Sequence, residues 1–163
     1  MKSPPEKEAL FTSLIKDNSR IINSVCYFYS SGIIPFEDLR QEVYINIWKG
    51  LDQFRSESKI STWIYRIAIN TALMTIRTDK RRINTVPIDS IVLNISQGTD
   101  NSQMDRLEAL DSLIEKLDEI EKAIILLWLD EYSYDEIAET MGMKKSNVAT
   151  KIFRIKEKLS KLK

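Results

Sequence analysis

A chain of 163 residues with 43 % hydrophobic side chains, 29 % charged ones and only 4 Gly and 4 Pro suits one helical domain or two small ones. His is absent and Cys26 is the only cysteine, which excludes His-based triads, most zinc sites and an internal disulfide. Lys and Arg (24) balance Asp and Glu (24), so any affinity for nucleic acid must come from local segregation of charge.

Residues 6–31 read as one or two helices, with Leu10, Leu14, Ile21, Ile22 and Val25 as core candidates. Cys26 lies among them and reads as a small core side chain. Gly32 and Pro35 interrupt, and a helix follows from about Phe36 to Leu51. Phe36, Leu39, Val43, Ile47 and Leu51 form its inner face, while Asp38, Gln41, Glu42, Tyr44 and Trp48 stand on the other side. A polar loop, Asp52 to Ser58, leads to a helix from about Ser61 to Lys80. There Arg66, Asn70, Arg77, Lys80 and Arg81 share one face, with Trp63 near its N-terminal end. Aromatic rings offer stacking surfaces to unpaired bases and arginines neutralise phosphate, so this face fits a single strand. The alternative is that Trp63 and Tyr65 are core residues and that Lys80-Arg81-Arg82 merely ends the helix.

Residues 83–104 change character: Asn, Ser, Thr, Gln, Gly and Pro are frequent, and no basic residue occurs, as expected of a linker between two domains. From Asp105 a helix carries Leu107, Leu110, Leu113, Ile114 and Leu117. Asp118 and Glu121 have the spacing of a capping box, and Ala123–Leu129, apolar on all sides, is expected to be the buried helix of the second domain. Ser133 and Glu136 form another capping box, Tyr134, Ile137, Ala138 and Met141 recur on one face, and Gly142 suits a left-handed C-cap. Ser146 is the expected N-cap of a last helix with a narrow stripe of Val148, Ile152, Ile155, Leu159 and Leu162.

Two short helices around a glycine turn, the second with a polar basic face, place a helix in the major groove of DNA. Lys145, Ser146, Asn147, Thr150, Lys151 and Arg154 are the candidate contacts, since the first turns of such a helix reach base edges. Lys158, Lys161 and Lys163 are expected at phosphates or in solvent. Charge supports this: residues 140–163 hold eight Lys/Arg against one Glu, whereas residues 105–139 hold twelve acidic side chains against three basic ones. The alternative is a solvated amphipathic helix whose lysines complement the helix dipole. No phosphate-binding loop and no catalytic or metal-binding constellation is found, so no enzyme, cofactor or metal is expected. No signal peptide or membrane-length apolar run is found, which leads us to expect a cytoplasmic protein.

Two blocks resemble the bacterial RNA polymerase sigma factors, and in particular their small extracytoplasmic-function group. The first is Glu37-Asp38-Leu39-Arg40-Gln41-Glu42-Val43, Ile47-Trp48, Phe54-Arg55, the run Ser61–Ala72, Arg77 and Lys80-Arg81-Arg82. It is similar to that family's second conserved region. The second is Leu126–Leu129, Tyr134-Asp135-Glu136-Ile137-Ala138, Gly142, Val148 and Arg154, similar to its fourth region. The first block is the more specific, because many regulators share a helix-turn-helix. The resemblance implies an all-α chain with a domain over residues 1–82, a linker over 83–104 and a helix-turn-helix domain over 105–163. It implies core polymerase and promoter DNA as partners, with an anti-sigma factor as a further one. Asp38, Gln41, Glu42, Tyr44 and Trp48 would bind a coiled coil of polymerase. Loop residues Phe54–Lys59 would capture an unstacked base, and Lys59, Trp63, Arg66, Asn70 and Arg77 would hold the strand. Met74 departs from the polar residue frequent at its position, and Asn147 and Ala149 depart from a common pattern in the last helix. The alternatives are a free-standing helix-turn-helix regulator and a helical adaptor or antagonist that binds polymerase without reading DNA. The 36–82 block speaks against the first and the basic face of the last helix against the second.

Overall fold

The computed structural model describes residues 3–83 and 101–161, with side chains described for residues 3–79 and 108–161. Among the described residues the chain is helical throughout its regular structure, without a strand. The helices are α1 (Pro4–Asp17), α2 (Ser19–Tyr29), α3 (Phe36–Gly50), α4 (Ile60–Ile83), α5 (Asn101–Glu115), α6 (Glu119–Leu129), α7 (Tyr134–Met141) and α8 (Lys145–Lys161). Two compact units result, the first carrying α1–α4 and the second α5–α8.

In the first unit, α1 begins with Pro4 and Pro5 in its opening turn, where a missing N–H costs nothing, and Ser3 N–H donates to Glu6 Oε2 at 3.1 Å. Residues 6–31 prove to be two helices. The break is at Asn18, whose side-chain amide donates to the Leu14 carbonyl at 2.9 Å while its backbone leaves the helical path at φ −117°. Ile22, Val25 and Cys26 of α2, Leu39, Val43 and Ile47 of α3, and Ile64, Ala68 and Ala72 of α4 are buried together in the core. Each large aliphatic side chain so placed contributes about 1.5–3 kcal/mol. Tyr65 is fully buried and belongs to the core. Burial also pushes the Cys26 thiol up to about 11. A polar tie crosses α3 and α4: Asn46 Nδ2 donates to Thr71 Oγ1 at 2.9 Å.

In the second unit, Ile114 and Leu117 are buried, and α6 opens with the expected capping box: Glu121 N–H donates to Asp118 Oδ1 at 2.8 Å and Asp118 N–H to Glu121 Oε2 at 3.1 Å. Ala123–Leu127 are buried, but Leu129 is not, because α6 stops there and the chain turns through Glu131 at φ +64°. The Ser133–Glu136 box closes at 3.1 and 2.8 Å, and Gly142 ends α7 at φ +65°. Met143 N–H then returns to the Ala138 carbonyl at 2.9 Å, which folds the chain straight into α8.

Two sequence expectations need correction. Helix α8 starts at Lys145, with Asn147 and Val148 N–H donating to the Lys144 carbonyl at 3.0 and 3.1 Å. Ser146 therefore lies within the first turn rather than capping it, because the return bond after Gly142 leaves no longer loop. Helix α5 starts at Asn101, inside the expected linker; the remainder of that linker, and the side chains of Lys80, Arg81 and Leu107, lie outside the described residues. So do Leu162 and Lys163. The stripe of α8 otherwise forms as expected, with Val148, Ile152 and Ile155 buried and Leu159 half-buried.

Candidate functional site

Helix α8 buries its stripe against α6 and α7 and turns the opposite side outward. Lys145, Ser146, Asn147, Thr150 and Arg154 are all exposed there. Lys151 is half-buried, since its phase sets it at the border of the stripe. Thr150 Oγ1 donates to the Ser146 carbonyl at 3.0 Å, so its methyl group and oxygen lone pairs are what it offers outward. Lys145 Nζ meets Asp135 Oδ2 at 3.3 Å, with both side chains exposed; such a pair exchanges readily for a phosphate. Phe153, missed by the sequence reading, is 63 % exposed on this same side. Its phase, well off the apolar stripe, was the available sign. Lys158, expected at phosphates or in solvent, instead binds Glu121 at 3.1 Å, and Lys156 lies 4.3 Å over the Trp128 ring. The far end of α8 is thus fastened to α6.

In the first unit, Trp63, Arg66, Asn70, Met74 and Arg77 recur every three to four residues, within a sector of about 80° at 3.6 residues per turn. The buried side chains of α4 lie opposite. Asn70 and Arg77 are exposed and Arg66 is half-buried. Trp63 is half-buried: the ring of Phe54 stands 4.8 Å away at 41°, and its edge lies over Gly50, where an added Cβ would be 3.0 Å from Trp63 Cζ2. It is thus neither a core residue like Tyr65 nor a free ring. The loop before α4 is shaped by Ser56 in the left-handed region (φ +58°) and brings half-buried Phe54 beside Trp63, with Lys59 exposed just before α4. The hydroxyls of Thr71, Thr75 and Thr78 donate to carbonyls four residues back, at 2.6, 2.8 and 3.0 Å. Guanidinium, amide, indole and thioether groups remain as the outward chemistry.

The third surface is the outer side of α3. Asp38, Gln41 and Glu42 are exposed. Tyr44 and Trp48 are less free than expected, because α1 lies against them. Phe11 sets its edge 6.4 Å from Tyr44 and 5.3 Å from Trp48. Lys7 Nζ sits 4.4 Å over the Trp48 ring and 2.7 Å from Asp52 Oδ2. Arg40, paired with Glu37 at 2.6 Å, lies 5.8 Å over the Tyr44 ring. Trp48 remains 37 % exposed, and Ile45, overlooked in the sequence, is 44 % exposed between Gln41 and Trp48. Apolar anchors framed by carboxylates suit a basic protein partner.

Among the described residues no group of three or more His, Cys, Asp or Glu is placed to hold a metal ion, and no helix is long and apolar enough to cross a membrane.

Comparison with known proteins gives these surfaces a context. The sigma-70 region 2 family matches residues 14–82, and the sigma-70 region 4 family matches residues 107–159. The chain is 32 % identical to the ECF RNA polymerase sigma-E factor of Escherichia coli K12, covering 93 % of this chain and 85 % of that protein. It is 29 % identical to the sigma-E factor of Haemophilus influenzae, over 93 % and 86 %. Among solved structures it resembles the sigma factor RpoE of Bartonella quintana, crystallised with the anti-sigma factor NepR (TM-score 0.72, 22 % identity, 93 % of this chain and 95 % of that one). It also resembles CnrH in complex with the cytosolic domain of CnrY (TM-score 0.68, 20 % identity, 95 % and 88 %). The region 2 match spans α2, α3 and all but the end of α4, and the region 4 match spans most of α5 to α8. This chain belongs to the extracytoplasmic-function group of bacterial RNA polymerase sigma factors.

Proposed function

We propose that the chain carries out promoter recognition and melting through the three surfaces just described. As a sigma factor it binds core RNA polymerase and directs initiation at specific promoters. On our reading, Asp38, Gln41, Glu42, Ile45 and Trp48 dock on polymerase, with Tyr44 supporting them from beneath Phe11. The loop Phe54–Lys59 with Trp63, Arg66, Asn70 and Arg77 holds the melted strand. Asn147, Thr150 and Arg154 read the upstream element in duplex form, Phe153 adds an apolar contact, and Lys145, Ser146 and Lys151 lie against the backbone. The first unit then docks and melts, the second reads upstream, and the segment between α4 and α5 joins them. Work of this kind is binding and strand separation rather than covalent chemistry, and it is done in the cytoplasm beside polymerase. An anti-sigma factor, like the NepR bound to RpoE of Bartonella quintana, is a further partner on this reading.

The observation that carries the proposal is the aromatic pair Phe54–Trp63 in line with Arg66, Asn70 and Arg77 on the outward face of one helix. Unstacking a base costs a few kcal/mol, and aromatic stacking supplies about 1–3 kcal/mol per base, so such a face offsets the cost of opening DNA. A plain repressor has no use for it. The test is run-off transcription by core polymerase with and without the purified chain. Promoter-dependent product only in its presence is expected; tight operator binding by the chain alone at physiological salt, with no product, would favour a free-standing regulator.

A further inference from the structure

Among the described residues, the most exposed of the large apolar side chains is Met74, at 66 %. It stands on α4 between Asn70 and Arg77, in line with Trp63 and opposite the buried side of the helix. No packing role accounts for it there. An apolar side chain left in water on a face shared with an indole, cations and an amide gains burial only when a ligand covers it.

Its chemistry narrows what that ligand offers. A thioether is at most a weak acceptor and has no donor, so Met74 cannot read the hydrogen-bonding pattern of a base edge. The apolar group that a base edge presents in the major groove is the 5-methyl of thymine. Position points the same way. Met74 follows Trp63 by eleven residues, about 16 Å along the helix at 1.5 Å per residue. That spans roughly five nucleotides at 3.4 Å each. If Trp63 holds an unstacked base, Met74 lies near the end of the melted stretch, where the strand that Arg77 holds by its phosphates rejoins the duplex and its bases present their edges rather than their faces. The threonine hydroxyls nearby do not alter this reading: Thr71, Thr75 and Thr78 already donate to helix carbonyls, and Thr78 donates to that of Met74 itself, at 3.0 Å.

We infer that Met74 is a specificity-determining residue that selects a thymine, through its 5-methyl group, at one position of the start-proximal promoter element about five nucleotides from the base held at Trp63. This rests on the assignment of the α4 face to promoter DNA given above.

The test uses holoenzyme assembled from core polymerase and the full chain, either wild type or Met74→Asn, to select active templates from a promoter library randomised through the start-proximal element. The wild type is expected to enrich thymine at one position and Met74→Asn to lose that preference while keeping the others. Replacing that thymine by deoxyuridine, which removes only the methyl group, is expected to lower open-complex formation by the wild type about fourfold, the value of one buried methyl-sized group. It should leave Met74→Asn unaffected. The side chain is exposed, so the variant folds as the wild type does, and equal melting temperatures check this. Identical selection by the two proteins, or an equal deoxyuridine effect on both, would overturn the inference while leaving the promoter reading standing. A wild-type holoenzyme that enriches no sequence at all would remove that broader reading, and this inference with it.

Discussion

Replacing Gly50 by Ala adds one methyl group at the end of α3, and the structure says where it goes. The new Cβ would stand 3.0 Å from Trp63 Cζ2 and 3.5 Å from Ile67 Cδ1. Ordinary contact begins near 3.5 Å, so the indole must move by a few tenths of an ångström. The backbone at Gly50 is helical, and Ala in a helix is favoured over Gly by up to about 1 kcal/mol. A tilted indole costs about 0.5–1.5 kcal/mol. The two effects oppose each other, so stability should change by less than about 1 kcal/mol. Strand capture has no such compensation. Stacking contributes about 1–3 kcal/mol per base; losing a third to a half of it predicts a drop of roughly twofold to tenfold in open-complex occupancy. The assay is permanganate reactivity of promoter thymines in the holoenzyme, beside a thermal melt of the free chain. Trp63→Ala should lose at least as much as Gly50→Ala, and the double variant should be no worse than Trp63→Ala alone, because the methyl acts through the ring. Additive losses, or normal melting of the promoter by Gly50→Ala, would refute the argument that the indole over Gly50 holds the strand.

Further outcomes follow from other sites. In Gly142→Ala nothing lies within 4 Å of the added Cβ, so only the left-handed backbone (φ +65°) is penalised. That costs about 1–2 kcal/mol, partly offset by a stiffer unfolded chain, and calorimetry should show the second unit melting several degrees lower, with Gly142→Asn in between. Trp48→Ala and Ile45→Ala should each weaken binding to core polymerase by about tenfold or more if they are interface anchors, as titration with labelled polymerase would reveal; unchanged affinity would move the docking face elsewhere. Arg154→Ala should lower promoter use with a base-specific part of about 1–3 kcal/mol, and an equal loss on every upstream sequence would mark a phosphate contact instead. Cys26, held up to about 11 by burial, stays protonated in the folded chain after the unfolded thiol has ionised near its ordinary value of 9.0. Its contribution to stability is therefore present below pH 9 and lost between about pH 9 and 11. Native protein should resist iodoacetamide at pH 8, and Cys26→Ala should flatten the alkaline end of the stability curve.

Much of the helical fold was legible because its signals are local. The boxes at Asp118/Glu121 and Ser133/Glu136, the left-handed stop at Gly142 and the stripe Val148–Ile152–Ile155 depend on neighbours within one or two turns, and they form as read. What was not legible depends on long-range packing. Spacing alone could not say whether Trp63 was core or surface, since its half-burial is set by Gly50 and Phe54 from other elements. Nor could it show that α1 would settle Phe11 and Lys7 on Trp48, or that Lys158 would be drawn to Glu121. Ile45 and Phe153 are readable from phase alone, since each lies off the buried stripe of its helix.

The clamp of Lys156 on Trp128 and of Lys158 on Glu121 makes α8 a strut held at its heel, with the tip that we propose faces the bases at the other end. A small tilt at the heel becomes a larger sweep at the tip, so on the proposed reading the entry angle into the groove is governed from the turn just beyond Arg154. On the proposed reading Trp128 and Glu121 are adjusting screws: altering either should re-aim promoter choice while Asn147, Thr150 and Arg154 are left in place. Raising ionic strength would slacken the Glu121 screw while the ring contact and the buried isoleucines keep the strut seated.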